Sequence, residues 1–287
     1  MIDKAIFKLN RVYNKYYERK LKYHRGFTRI QKIIERLTKS RIDGVDESEI
    51  QSIHDIEYDN LIILDACRYD LYDQVVKGDV DHRVTEGSSS AEYVKANFSK
   101  GKFDDTVYVS ANPWFYPSRF KDITGRDEGP GEIFHEFFNT IKTDWDEQGT
   151  VLPEKVVRDT KTARKLFPEK KIITHFMQPH HPFVRYDLPD AGFGIGDVEG
   201  ENIWNYFGAG QVSREELWKG YEDNLRYVLD QLNRLLKDLD GKTVITADHG
   251  NFVGEYGLYA HPGGHDAEEV RKVPLHEVSS KVITKYE

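Results

Sequence analysis

Asn60-Leu61-Ile62-Ile63-Leu64-Asp65 is an unbroken apolar run that ends in a carboxylate. A run without polar alternation suits a strand buried on both faces, as the strands of a parallel sheet are. Thr243-Val244-Ile245-Thr246-Ala247 repeats the pattern and is followed at once by Asp248-His249-Gly250-Asn251. Lys171-Ile172-Ile173-Thr174-His175-Phe176 reads as a third such strand and runs into Gln178-Pro179-His180-His181-Pro182-Phe183. Thr106 to Ser110 is a further, shorter strand candidate.

Helical spacing fills the intervals. Arg68 to Val76 reads as the helix after the first strand, and Ser89-x-x-Glu92 opens a helix over Ala91 to Phe98 with a capping-box pattern. Ile133 to Ile141 and Glu154 to Leu166 have helical periodicity. Ser213 begins a long helix with Leu217, Tyr221, Leu225, Val228, Leu232 and Leu235 on one face and Gly241 beyond its end. Strands alternating with helices predict an α/β fold, a three-layer α/β/α sandwich with a mostly parallel central sheet. In such folds the ligand site lies beyond the carboxyl ends of the strands. Asp65, the His175 to His181 segment and Asp248-His249 all fall at such ends. One aspartate there is explained by helix capping; three strand ends carrying carboxylates and imidazoles point to a site.

The chain has 287 residues, 38% hydrophobic and 31% charged, with 17 Tyr, 15 Phe and 4 Trp, enough apolar material for a large core and against wholesale disorder. No run approaches the eighteen or so apolar residues that span a bilayer. The start, Met1-Ile2-Asp3-Lys4, leads into a charged helix and not an apolar signal segment. Cys67 is the single cysteine, which excludes an internal disulfide and a cysteine-based zinc knuckle. A cytoplasmic location is the expectation. The net charge of −8 hides an asymmetry: residues 1–40 hold twelve Lys/Arg against three acids, and the remainder holds 29 basic against 46 acidic groups. A basic helical arm, residues 1–45, is thus expected on an acidic body, residues 46–287. Its face suits either packing on that body or peripheral contact with an anionic membrane through residues 1–40. Nucleic acid is not the expected partner.

Val244-Ile245-Thr246-Ala247-Asp248-His249-Gly250-Asn251 resembles the metal-binding signature of the alkaline phosphatase superfamily, which includes sulfatases, phosphodiesterases and phosphoglycerol transferases. Leu61 to Arg68 resembles that superfamily's first strand with its Asp ligand, and Gln178 to Phe183 resembles the sulfatase Pro-His-x-Pro segment. Tyr221 to Leu239 resembles the helix before the last metal strand, and Arg271-Lys272-Val273-Pro274 the Arg-Val-Pro after it. The similarity covers roughly residues 58–276, in the expected order, and the nearest relatives are expected among archaeal sulfatase-like proteins of unassigned substrate.

The resemblance implies an alkaline-phosphatase-like fold and a metal-dependent hydrolase or transferase of phosphate or sulfate esters. It implies that Asp65, Asp248 and His249 hold one divalent cation, Zn, Mn, Mg or Ca, together with the nucleophile's oxygen. The nucleophile falls in Gly87-Ser88-Ser89-Ser90-Ala91-Glu92, at a helix start whose N–H groups suit an anion; Ser90 leads, with Ser88 and Ser89 as alternatives. Arg68 is implied in binding the substrate anion, against an ordinary ion pair with Asp70 or Asp73. His180 and His181 are implied at the substrate oxygens or leaving group. His261 and His265 occupy the stretch where relatives place a further, metal-site His, and one of these four supplies the general acid. His180 stands where two-metal members carry an Asp, so one metal is expected. Cys67-Arg68-Tyr69-Asp70-Leu71 departs from the formylglycine pattern, which favours a serine nucleophile acting on phosphomonoesters or phosphodiesters over conventional sulfatase chemistry. The substrate expected is a small-molecule, glycan or lipid-linked ester. A catalytically inactive sulfatase-like scaffold, with the basic arm as its working part, is the competing expectation.

Overall fold

The computed structural model describes residues 42, 44–77, 80–188, 202–208, 210–278 and 283. Residues 1–41 of the basic arm and the Gly-rich stretch 191–200 lie outside the described residues. In chain order the elements are β1 (Asn60–Asp65), α1 (Tyr69–Val76), β2 (Asp81–Val84), α2 (Ser90–Phe98), β3 (Phe103–Ser110), α3 (Pro117–Thr124), α4 (Pro130–Ile133) and β4 (Phe134–Asn139). They continue with α5 (Thr140–Asp144), α6 (Pro153–Leu166), β5 (Lys171–Pro179), α7 (Ile203–Gly208), α8 (Arg214–Leu235), β6 (Thr243–Ala247), β7 (Phe252–Val253), β8 (Tyr259–Ala260), α9 (Glu268–Arg271) and β9 (Lys272–Val278).

Seven strands form one sheet in the order β2-β9-β6-β1-β5-β3-β4. The five from β6 to β4 are parallel, and β9 and β2 add an antiparallel edge. Every residue of β1 is buried, as its unbroken apolar lettering requires between two parallel neighbours and two covering layers. Alternate residues serve opposite layers. Ile62 and Leu64 join the cluster with α1, α6 and α8 residues, among them Leu71, Val156 and Leu225. Leu61 and Ile63 join the aromatic cluster of Tyr93, Phe98, Tyr108, Phe115 and Phe120. The same alternation puts Val244 of β6 and Ile173 of β5 in that second layer. Asp65, His175 and Asp248 share this parity, so three separate strands aim them at the layer that contains α2.

The expected helix over Ile133 to Ile141 is instead a short turn and the edge strand β4, paired in parallel with β3. Phe134, Phe137, Phe138 and Ile141 are spaced like a helix face, but Phe134 and Phe137 pack on Tyr108, with ring centroids 4.8 and 6.4 Å away. Aromatic residues suit a pleated, half-buried surface, and the open edge beside β3 decided the conformation. The two helices expected over Arg68 to Val76 and Ala91 to Phe98 and the long helix from Ser213 form as read. Ser213 and Glu216 make the full capping box at the start of α8.

Candidate active site

Four groups meet at the carboxyl ends of β1 and β6 and the start of α2. Ser90 Oγ donates to Asp248 Oδ2 at 2.7 Å and lies 3.1 Å from His249 Nε2. His249 Nε2 is 3.4 Å from Asp248 Oδ2 and 3.7 Å from Asp65 Oδ1. His249 Nδ1 sits 2.7 Å from the Gly250 carbonyl, which can only accept, so Nδ1 carries the proton and Nε2 presents a lone pair. Asp248 Oδ1 accepts from the backbone N–H groups of Ala66 and His249 at 3.0 and 2.9 Å. Gly250 is required by space: a Cβ there would stand 2.2 Å from the Glu269 carbonyl oxygen.

Of the three serines, the structure brings Ser90 to this cluster. Ser89 caps α2, accepting from Glu92 N at 3.4 Å. Ser88 Oγ is 2.8 Å from the Pro262 carbonyl and accepts from the His265 N–H. Glu92 reaches back to Ser88 N at 2.8 Å, one residue earlier than a capping box would have it, and also accepts from Gly264 N at 2.8 Å.

The remaining residues divide. His180 Nδ1 is 2.7 Å from the His181 carbonyl, which leaves its Nε2 as a lone pair facing His261 Nε2 at 2.9 Å. His261 also packs at a tilt against His249, with ring centroids 4.3 Å apart. Burial, more than the neighbouring imidazoles, lowers the pKa of both His180 and His261 and keeps them neutral. His181 packs at a tilt against His180 and meets Trp204 edge-on. The backbone of His265 touches the serine turn while its ring packs on Phe252, centroids 5.5 Å apart. Arg68 forms a two-pronged pair with Asp70 at 2.8 and 2.6 Å, bonds Glu255 at 2.9 Å, and lies over Trp218. Its charge is thereby matched by protein carboxylates.

Two residues to which the sequence reading gave no individual role complete the site. Asn112, fully buried after β3, donates from Nδ2 to both Asp65 Oδ2 at 2.7 Å and Ser90 Oγ at 3.0 Å. Asn224 of α8 reaches the carbonyls of Pro179, His180 and Pro182 at 3.2, 2.8 and 3.2 Å and fixes the His-His turn. An isolated Asn in a loop or on a helix carries no pattern of its own.

The donor set suits a divalent cation. Asp65 Oδ1 is buried without a hydrogen-bond partner, and neighbouring ligand atoms of a tetrahedral cation lie about 3.3 Å apart for bonds of about 2.0–2.1 Å, close to the spacings around His249 Nε2. One ligand atom each from Asp65, His175 and Asp248 also lies within 4.8 Å of the others. Burial and the Asp248 charge raise the Asp65 pKa, whereas at Asp248 the burial effect is outweighed by the His249 and His175 imidazoles and the Ser90 bond, which hold its pKa low. Two carboxylates so close and so dry need a cation or a proton between them.

No family model matches the sequence, and no curated protein matches it. Solved structures do. Lipooligosaccharide phosphoethanolamine transferase A of Neisseria meningitidis matches at 15% identity and TM-score 0.47 over 75% of this chain and 46% of that one. The chain thus spans less than half of that transferase. The C-terminal periplasmic domain of the phosphoethanolamine transferase EptC of Campylobacter jejuni matches at 15% identity and TM-score 0.49, over 78% of this chain and 80% of that one. A Vibrio parahaemolyticus protein matches at 10% identity and TM-score 0.41, over 87% of this chain and 69% of that one. That last protein is described as belonging to the alkaline phosphatase superfamily, the superfamily that the strand-end motifs of this chain resemble.

Proposed function

We propose that the chain is a metal-dependent hydrolase or transferase of phosphate or sulfate esters, phosphoesters foremost, with Ser90 as its nucleophile. The observation that carries this reading is the placement of Ser90 Oγ against Asp248 Oδ2 and His249 Nε2 with Asp65 Oδ1 behind them. Asp65, Asp248 and His249 would hold one cation. Bound there, it neutralises the non-bridging oxygens of the ester and favours the ionised serine.

Asp248 Oδ2 accepts the Ser90 O–H hydrogen bond and Asn112 Nδ2 donates to Oγ, which together fix its direction; on ionisation the serine proton would leave to solvent. Ser90 Oγ bonds to the phosphorus as the bond to the leaving oxygen breaks. The first-turn N–H groups of α2 face the transferred anion. The Nε2 atoms of His180 and His261 face each other at 2.9 Å, and the N–H that they share would hydrogen-bond the leaving oxygen as it departs, the alkoxide taking its proton from water. Water then cleaves the phosphoseryl ester in a hydrolase, and an acceptor alcohol does so in a transferase. The basic residues 1–40 would bring this site to an anionic membrane and a lipid-linked or glycan ester, in a cytoplasmic setting; binding to vesicles containing anionic lipid, falling with salt, tests that contact.

Chromogenic phosphomonoester, phosphodiester and sulfate substrates, assayed with a chelator and with Zn or Mn restored, test the main reading. Activity is expected on a phosphoester, lost on chelation, and reduced by a factor of about a thousand or more in Ser90→Ala, with Ser88→Ala and Ser89→Ala retaining it. Activity that survives both chelation and Asp248→Ala contradicts it.

A further inference from the structure

His175 is fully buried on β5, under the floor of the site. Its Nδ1 lies 3.0 Å from the Tyr108 hydroxyl. Its Nε2 is buried with no hydrogen-bond partner and stands 3.7 Å from Asp248 Oδ2. Buried polar atoms are rarely left alone without a functional reason.

The two tautomers differ in consequence. With the proton on Nδ1, the Nε2 lone pair would face a carboxylate in a dry interior, an unfavourable pairing. With the proton on Nε2, Nδ1 accepts from the Tyr108 O–H and Nε2–H faces the opposite charge of Asp248. Burial raises the Tyr108 pKa, which keeps its hydroxyl a donor. The Tyr108 ring is itself wedged against Phe115 and Phe134, with centroids 4.4 and 4.8 Å away. Tyr108 of β3, His175 of β5 and Asp248 after β6 therefore form a line across the sheet that ends on a carboxylate already holding Ser90.

We infer that His175 is a positioning residue, not itself a ligand, which orients Asp248 for cation binding through an Nε2–H directed at Oδ2, with Tyr108 fixing its tautomer. This rests on the cation site proposed above. Outer partners of this kind set the orientation and basicity of the ligand they touch, and their loss costs about 10–100-fold in metal affinity.

The test is the dissociation constant for Zn²⁺, measured on the full chain by competition with a chromophoric chelator. His175→Ala is expected to weaken binding about 10–100-fold. Tyr108→Phe, which keeps the ring stack and removes only the hydroxyl, is expected to weaken it less. The double variant should bind no more weakly than His175→Ala alone, because Tyr108 acts through His175. Phe120→Leu, in the same aromatic cluster, should lower the melting temperature and leave the constant unchanged, which separates positioning from loss of packing. Wild-type protein that binds no Zn²⁺ overturns the cation site itself. Wild-type binding with His175→Ala equally tight, with fully additive variants, or with Phe120→Leu equally weakened overturns the role of His175 alone.

Discussion

Asp65 and Asp248 face each other across fully dry protein, and the arrangement is costly to the fold without a cation. Burial and the Asp248 charge both push the Asp65 carboxyl up, so ionising it opposes folding as pH rises above the ordinary carboxylate range. Asp65→Asn removes that conflict and keeps an acceptor for Asn112. We expect the metal-free variant to be more stable than the metal-free wild type by about 1–2 kcal/mol, roughly 2–8 °C in melting temperature, and to gain nothing from added Zn²⁺. Paired melting curves with and without metal check this; a variant less stable than wild type, or one still stabilised by Zn²⁺, contradicts it. At this scale the acidic and imidazole groups were legible because each ends an apolar run. Ser90 led in the sequence without being separated from Ser88 and Ser89, since all three share one turn and only the helix phase tells them apart. The bonds of Asn112 to Asp65 and Ser90 and the place of His175 behind Asp248 were illegible because they come from strand order β1-β5-β3, which places distant segments side by side.

Among the elements, the turn after β1 carries local strain. Ala66 adopts φ 56°, a left-handed conformation that costs a non-glycine residue about 1–2 kcal/mol. The Tyr221 hydroxyl of α8 holds it there, donating to the Ala66 carbonyl and accepting from Arg68 N. Tyr221→Phe strands both backbone groups in the core and should cost about 1–3 kcal/mol in urea denaturation, whereas Ala66→Gly should recover about 1 kcal/mol of it in the double variant. No loss in Tyr221→Phe would show that the turn does not need the staple. The contact of α5 with α6 makes a pH prediction. Hydrogen bonds from Arg158 and then Thr143 lower the Asp144 pKa from 3.8 to about 2. A carboxyl with a depressed folded-state pKa stabilises above its unfolded value and stops doing so as pH falls, so this contact weakens between about pH 4 and pH 2. An NMR titration of Asp144 centred near 4 would contradict it. The elements read correctly from sequence are those whose periodicity agrees with their tertiary place, such as β1, β6 and α8. β4 failed because Phe134, Phe137 and Ile141 have helical spacing while the vacant edge of β3 rewards a strand.

For the whole molecule, side-chain parity joins fold to chemistry. Period-two alternation along β1, β3, β5 and β6 directs Asp65, Tyr108, His175 and Asp248 to one face, where the N-terminus of α2 delivers Ser90. The three-layer class followed from alternating apolar runs and helical periods. The antiparallel edge of β9 and β2 did not, because Lys272-Val273-Pro274-Leu275 and Asp81-His82-Arg83-Val84 carry mixed lettering that suits a loop as well as an edge strand. The account stands on one cation shared by residues from opposite parts of the chain. Anomalous diffraction at the zinc edge from crystals grown with Zn²⁺ measures it most directly. The expected result is a single strong peak bonded to Asp65, Asp248, His249 and Ser90 Oγ. Zinc absent from that point, at concentrations that support catalysis, would contradict the account.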